Sequence, residues 1–187
     1  MANPNGVVYA RLPGFHLSAA GREAAGELAA RLRSAPVVAV YASPLDRAVE
    51  TAAILAEPHG LDVATDHRLQ EWSFWVRWQG MAWTSIHDRD PRLLEAYSLD
   101  PASACPDDSL ETTGGRVLAW AEDAEQAHPD GLVLGVTHES PLVAAWMVGS
   151  GRNLRDYHSV NFPHLTCVRL QPGPAEVVDL PQWARTC

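Results

Sequence analysis

The chain has 187 residues, enough for one domain with a sizeable hydrophobic core. Hydrophobic residues make up 47% of it, as is typical of globular proteins, and the formal net charge of -9 argues against non-specific binding to nucleic acid. All 14 basic residues are arginine, which excludes chemistry that needs a lysine nucleophile or a lysine Schiff base.

Cysteine usage and the first residues indicate the cellular setting. Cys105, Cys167 and Cys187 show neither the spacing of a metal site nor that of a disulfide framework. Residues 1–6 lack the basic and apolar regions of a signal peptide. No apolar run reaches the roughly 18 residues that a membrane span needs. We therefore expect a cytoplasmic protein whose partners are neither membranes nor nucleic acids.

The first third of the chain predicts strands alternating with helices. A continuous apolar run at 37–41 is typical of a strand buried on both faces, and Ser43 and Pro44 follow it as expected cap and first residue of a helix. The predicted elements, in order, are a strand at 6–10, a helix from Ser18 to about Arg33, a strand at 37–41, a helix from Ser43 to about Glu57 and a strand at 61–64.

The rest of the chain continues this alternation after an irregular, tryptophan-rich stretch at 66–108. Alternating strands and helices predict an α/β fold, with a mostly parallel sheet covered by helices on both faces. Trp72, Trp75 and Trp78 are expected to serve core or lid packing rather than a ligand site. The predicted elements are a helix near 91–99, one from Thr112 or Thr113 to about His128, a strand at 132–137, a helix from Ser140-Pro141 to about Val148, and strands at 165–170 and 176–180.

Arg47 and His138 each follow the end of a predicted buried strand. Ligands of open parallel sheets bind at the carboxyl ends of strands, and free N–H groups at the following helix starts favour anions. An arginine there offers two donors to phosphate oxygens. Two ordinary alternatives remain open: Arg47 pairing with Asp46 or Glu50 on a solvated helix, and His138 as a core histidine bonded to backbone.

Glu71 directly precedes the tryptophan-rich stretch. A carboxyl group placed among indole rings has a raised pKa and is able to donate a proton at neutral pH. The alternative is an ordinary surface glutamate in a loop.

Four segments together resemble the histidine phosphatase superfamily, also called phosphoglycerate mutase-like. They are Leu-Ser-Ala-Ala-Gly-Arg-Glu at 17–23, Ser-Pro-Leu-Asp-Arg-Ala-Val-Glu-Thr at 43–51, Leu-Gln-Glu at 69–71 with Trp-Gln-Gly at 78–80, and Val-Thr-His at 136–138. The resemblance implies a three-layer α/β sandwich around a mostly parallel sheet, and a phosphorylated small molecule as ligand.

The resemblance also implies phosphoryl transfer through a phosphohistidine, without metal or cofactor. Carried over by motif, Arg47 clamps the phosphate, His138 is the second histidine that contacts it, and Glu71 donates a proton to the leaving oxygen.

The family's nucleophile lies in an Arg-His-Gly triplet that this sequence lacks near its start. In one alignment, 7–11 forms the first strand and Arg11 is the family's arginine, with Leu12 where the histidine belongs. In the other, which we favour, residues 5–17 are the loop that follows the triplet. A single domain over 1–187, truncated before or within the first strand-loop, is then expected. His16 is a weak substitute nucleophile.

Two functions follow from this departure. The first is a phosphatase-type hydrolase whose catalytic histidine is absent from this chain, because the start was assigned too late or the product shortened. The second is a pseudophosphatase that binds a phosphorylated ligand or acts as a scaffold. Both predict that the chain as given is inactive.

Overall fold

Three parallel strands form the centre of the fold, which the computed structural model describes for residues 3–170 and 175–178. They are β1 (Val37–Ala42), β2 (Val63–Thr65) and β3 (Leu132–Val136), in the order β2-β1-β3. Tyr41 of β1 lies beside Ala64 of β2 and Gly135 of β3. All three strands end at the same edge, so the predicted parallel sheet is confirmed and the residues that follow β1 and β3 become neighbours.

Helices cover both faces of this sheet. Val40 and Leu134 pack on one face with α1 (Ala19–Leu32) and α2 (Asp46–Ala56), while Tyr41 and Val133 pack on the other face with Trp120 of α5 (Leu110–Ala127). Alternation along the strands sends successive side chains into the two cores, which gives the three layers expected. The helices are α1 (Ala19–Leu32), α2 (Asp46–Ala56), α3 (Ile86–Arg89), α4 (Pro91–Leu99), α5 (Leu110–Ala127) and α6 (Glu139–Gly149). No helix in the described ranges is long and apolar enough to cross a membrane.

The tryptophan-rich stretch forms a third core, which we call the aromatic cap (residues 72–108). Trp72, Phe74 and Trp78 are almost completely buried there, which confirms the packing role predicted for two of the tryptophans. Trp75 is half-buried and contacts Trp83, which is 43% exposed. The helix predicted near 91–99 is confirmed by α4, but the irregularity expected elsewhere in this stretch is wrong in part, because it also contains α3 and 3₁₀ turns at Ser73–Trp78 and Trp83–Ser85.

The strand predicted at 6–10 does not form. Val7 makes only an isolated antiparallel bridge to Ala82, and the backbone of Val8 bonds to Met81 and Gly80. This segment therefore packs on the aromatic cap and not on the sheet, so it does not provide the first strand of the first alignment. Among the described strands, β3 pairs with β1 alone.

Three helix starts and the closing strands differ from prediction. α2 begins at Asp46, three residues after Ser43, and α6 begins at Glu139. α5 begins at Leu110, because the side chain of Ser109, rather than a later threonine, caps it. The closing strands are shorter than expected and antiparallel: β4 covers Val168–Arg169 and β5 covers Glu176–Val177. Residues 179 and 180 of the predicted last strand lie outside the described residues.

Candidate functional site

Arg47 lies in the first turn of α2 and is only 9% exposed. One of its terminal nitrogens, Nη2, donates to the carbonyl of Ala10 at 2.8 Å, and the guanidinium lies 4.8 Å from the centre of the Tyr9 ring. Its Nη1 is buried without a hydrogen-bond partner among the described residues. Burial lowers the pKa of this arginine. The solvated ion-pair alternative is therefore wrong.

The two acids of that alternative are engaged elsewhere. Asp46 accepts a hydrogen bond from the Gly14 backbone N–H at 2.6 Å. Glu50 contacts His16 at 2.5 Å and Arg22 at 2.8 Å at the surface. These contacts leave Arg47 free to face inward, and they place His16 against Glu50 at the surface.

His138 stands immediately before α6, as its N-cap residue. Its Nε2 lies 2.7 Å from the Oγ of Ser43, which is fully buried. The backbone-bonded alternative is therefore wrong, and so is the predicted role of Ser43 as a helix cap. Burial, and then the charges of Arg47, Arg116 and Arg11, hold the pKa of His138 well below its ordinary value of 6.5. The imidazole is neutral at neutral pH and is surrounded by cations.

Glu71 lies at the inner edge of the aromatic cap, so the surface alternative is wrong. Its Oε1 accepts the backbone N–H of Trp72 at 2.8 Å, and its carboxyl group also bonds to the Ser140 side chain. Burial raises the pKa of Glu71, against the opposing effects of the Trp72 N–H and the Arg47 charge. Such a group retains its proton to higher pH than an ordinary glutamate and is able to act as an acid.

Arg11 holds the backbone of Glu71 in position. Its Nε and Nη2 both donate to the backbone carbonyl of Glu71, at 2.8 and 2.6 Å. Its Nη2 is also 3.7 Å from the carboxylate of Asp108, and its backbone N–H donates to Gln79 at 2.7 Å. Arg11 thus reaches the site, but most of the donors that the structure describes for it are already used within the protein.

Arg116 of α5 is a third arginine at the site and was missed by sequence reasoning. Its Nη2 donates to the carbonyl of Gln70 at 2.7 Å, and its Nη1 donates to the carbonyl of Arg68. Its charge depresses the pKa of His138. No motif marks Arg116; the only signal was its position one residue before the inward-facing Val117.

These residues come from separate parts of the chain and form one cluster. The predicted residues Arg47, Glu71 and His138 are brought together: the charges of Arg47 and Glu71 act on each other's pKa, and the charge of Arg47 adds to burial in lowering the pKa of His138. The arrangement offers cationic donors, a neutral imidazole and a carboxyl group with a raised pKa, which suits an anion with several oxygens. Within the described ranges, no group of His, Cys, Asp and Glu side chains is arranged to hold a metal ion.

Comparisons with known proteins identify the family to which the chain belongs. Residues 2–180 match the family described as histidine phosphatase superfamily (branch 1). An uncharacterized protein from Mycobacterium tuberculosis is 55% identical over 69 residues, which are 37% of this chain and 34% of that protein. The chain thus spans about a third of the length of the first curated relatives that it matches.

Two phosphatases are also similar. Phosphoserine phosphatase 1 from Hydrogenobacter thermophilus is 27% identical over 145 residues, which cover 76% of this chain and 68% of that enzyme. The native structure of a mycobacterial glucosyl-3-phosphoglycerate phosphatase superimposes with a TM-score of 0.72 and 24% identity, covering 86% of this chain and 79% of that one. By its fold and by the family match over almost its whole length, the chain belongs to the histidine phosphatase superfamily.

Proposed function

We propose that this chain binds the phosphate group of a small phosphate monoester in the pocket formed by Arg47, Arg116, Arg11 and His138. The observation that carries the proposal is the Nη1 of Arg47, which is buried and has no partner among the described residues. A buried polar atom without a partner costs free energy, and a guanidinium nitrogen is satisfied by a phosphate oxygen.

The electrostatics of the pocket support an anionic ligand. Burial lowers the pKa of both Arg47 and Arg116, because it disfavours the charged form of each guanidinium. A bound anion would stabilise both charged forms. His138 remains neutral and is able to donate one ring N–H without adding a further positive charge. Glu71, with its raised pKa, is placed to protonate the oxygen that leaves phosphorus.

In this proposal, no residue of the chain acts as the nucleophile that attacks phosphorus. All eight histidines fall within the described ranges, and His138 is the one whose pKa is lowered by burial and then by the charges of Arg47, Arg116 and Arg11. His16 pairs with Glu50 at the surface, and His158 donates to the carbonyl of Tyr97. We therefore expect the chain as given to bind phosphate esters without hydrolysing them.

Isothermal titration calorimetry with inorganic phosphate tests the binding proposal. We expect saturable binding that Arg47→Ala weakens by about 10- to 100-fold, since a hydrogen bond to a charged group contributes roughly 1.5–3 kcal/mol. Arg33→Ala is the matched control, because it removes an exposed arginine at the C-terminal end of α1. Equal affinity in wild type and Arg47→Ala would refute the clamp.

Two roles share this pocket: a phosphatase-type hydrolase whose attacking histidine lies upstream of residue 1, and a pseudophosphatase. The surface contact between His16 and Glu50 argues against His16 as a substitute nucleophile in either role. Both predict negligible turnover of an aryl phosphate and no phosphohistidine. A phosphoryl group trapped on any histidine of this chain would overturn that expectation. Restored turnover in a version extended through an in-frame Arg-His-Gly would favour the hydrolase, and a stop codon directly upstream would favour the pseudophosphatase.

A further inference from the structure

Asp108 is the last residue of the aromatic cap and lies two residues before α5 begins. Its carboxylate Oδ2 accepts the backbone N–H of Ser73 at 3.0 Å, and its Oδ1 accepts the hydroxyl of Thr113 at 2.9 Å. Its backbone carbonyl accepts the indole N–H of Trp72. The Asp108 side chain is 16% exposed, and Thr113 is fully buried on α5. Asp108 therefore joins two consecutive residues of the cap to α5.

The two cap residues that Asp108 holds are those that follow Glu71 in the chain. The Oε1 of Glu71 accepts the backbone N–H of Trp72 at 2.8 Å, so a displacement of Trp72 would displace the carboxyl group as well. On the other side of Glu71, Arg116 of α5 donates to the carbonyl of Gln70 at 2.7 Å. The chain is thus fixed to α5 both before and after Glu71, directly through Arg116 and indirectly through Asp108.

The same carboxylate also faces the arginine that holds the Glu71 backbone. The Oδ2 of Asp108 lies 3.7 Å from the Nη2 of Arg11, and this nitrogen donates to the carbonyl of Glu71 at 2.6 Å. Burial acts to raise the pKa of Asp108, but hydrogen bonds from Ser73 and Thr113 outweigh it and lower the pKa. The carboxylate is therefore charged at neutral pH, and its charge favours the orientation in which Arg11 reaches Glu71.

The chemistry of Glu71 depends on where its carboxyl group lies. Burial is the largest cause of the raised pKa of Glu71, so a displacement of the carboxyl group into water would return the pKa towards its ordinary value. The buried ring of Trp72 holds the segment by apolar packing, which is non-directional. Hydrogen bonds to the backbone fix its orientation, and Asp108 accepts the one from Ser73.

We propose that Asp108 is a positioning residue for Glu71, whose carboxyl group it holds at the inner edge of the cap through Ser73, Thr113 and Arg11. The inference rests on the proposed function in one respect, because that function gives Glu71 the role of the acid. Asp108 acts through these neighbours and is assigned no contact with the ligand.

Carboxyl-carbon NMR of glutamate-labelled protein measures the pKa of Glu71, whose signal is identified by its absence from Glu71→Gln. In the wild type we expect a pKa above the ordinary value of 4.5. Asp108→Ala removes both side-chain hydrogen bonds and the contact with Arg11, so we expect the pKa of Glu71 to fall towards 4.5. Asp108→Asn keeps the shape and one acceptor oxygen, so we expect it to retain most of the raised pKa.

Two further variants complete the design. Asp107→Ala is the matched control, because it removes a carboxylate from the neighbouring, exposed position, and we expect the wild-type pKa of Glu71 in it. Thr113→Val removes the hydroxyl that fixes Asp108 to α5 and changes the shape little, so we expect the pKa of Glu71 to fall in the same direction as in Asp108→Ala. Thr113→Val also tests the inference if thermal unfolding shows that Asp108→Ala does not fold.

The outcomes separate a positioning role from a merely structural one. If Asp108→Ala and Thr113→Val lower the melting temperature but leave the pKa of Glu71 unchanged, the inference is refuted. An equal fall of this pKa in Asp108→Asn also refutes it, because loss of charge rather than loss of hydrogen bonds is then the cause.

Calorimetry with inorganic phosphate tests the proposed function separately. A wild-type chain that does not bind phosphate, but shows the expected pattern of Glu71 pKa values, refutes the phosphate pocket and supports the positioning role of Asp108. Phosphate binding without that pattern refutes the inference alone.

Discussion

The imidazole Nε2 of His138 and the hydroxyl Oγ of Ser43 lie 2.7 Å apart, although 95 positions separate the two residues in the chain. The contact joins the ends of β1 and β3, because Ser43 follows the first strand and His138 follows the third. The Ser43 Oγ also accepts the backbone N–H of Leu45 at 3.4 Å. Either group is able to donate in the contact with His138; we predict that the Ser43 hydroxyl donates to Nε2, with the ring proton of neutral His138 on Nδ1.

Ser43→Ala is expected to remove the preference of His138 for the Nδ1–H tautomer. Nitrogen NMR of histidine-labelled protein should show His138 as the Nδ1–H form in the wild type and as a mixture of both forms in the variant. His87 is a suitable internal control, since it is exposed in the cap. A His138 signal that is identical in the two proteins would contradict the assigned hydrogen bond.

The depressed pKa of His138 predicts a specific loss of stability in mild acid. The unfolded chain binds a proton at this residue near pH 6.5, whereas the folded chain does not until the pH is well below that value. Stability therefore falls as the pH drops below about 6.5, with a slope of about 1.4 kcal/mol per pH unit from this group. His138→Gln should remove that part of the slope. Urea unfolding of both proteins between pH 7 and 5 measures it, and parallel curves would contradict the prediction.

Glu71→Gln is expected to show the opposite dependence on pH. The pKa of Glu71 is raised in the folded protein, so its contribution to stability is fully present below the unfolded value of 4.5 and is lost as the pH rises through the folded pKa. The variant keeps a neutral side chain at every pH. We expect it to be more stable than the wild type at pH 8, and to lose that advantage near pH 4. If the free energies of unfolding of variant and wild type differ by the same amount at both pH values, the pKa of Glu71 is not raised in the folded protein.

A pair of glycine substitutions tests the packing behind the pocket. A Cβ at Gly135 of β3 would collide with the Trp120 ring, so Gly135→Ala should destabilise the protein by about 1–3 kcal/mol. Gly26 lies in the middle of α1 with no atom near its Cβ position, so Gly26→Ala should stabilise by about 0.5–1 kcal/mol. Chemical denaturation measures both. Equal effects of the same sign would show that the described contact between α5 and β3 is incorrect.

Local patterns were enough to predict the elements whose burial follows a regular period. Ser18 caps α1 as expected, and the apolar run that follows α1 forms β1. Both the helix cap and the apolar run are signals that act within a few residues. The predicted site residues Arg47 and His138 follow from the same logic, since the ends of parallel strands meet at one edge.

Features that depend on distant contacts were not predictable in this way. Ser43 looked like a helix cap, but the hydroxyl group bonds to a histidine of another strand end. Arg116 carries no motif, and it joins the site only because α5 crosses the backbone of residues 68 and 70. Residues 6–10 have strand-like composition, yet their backbone partners lie in the aromatic cap.

The central claim is that Arg47 and His138 together hold a phosphate group, and the ring signals of His138 test it most directly. Inorganic phosphate is titrated into the histidine-labelled chain at constant pH and ionic strength. We predict saturable shifts of the His138 resonances, with the exposed His87 and His164 unchanged, and loss of the effect in Arg47→Ala. A His138 that does not respond to phosphate, or that responds equally in Arg47→Ala, would contradict the account.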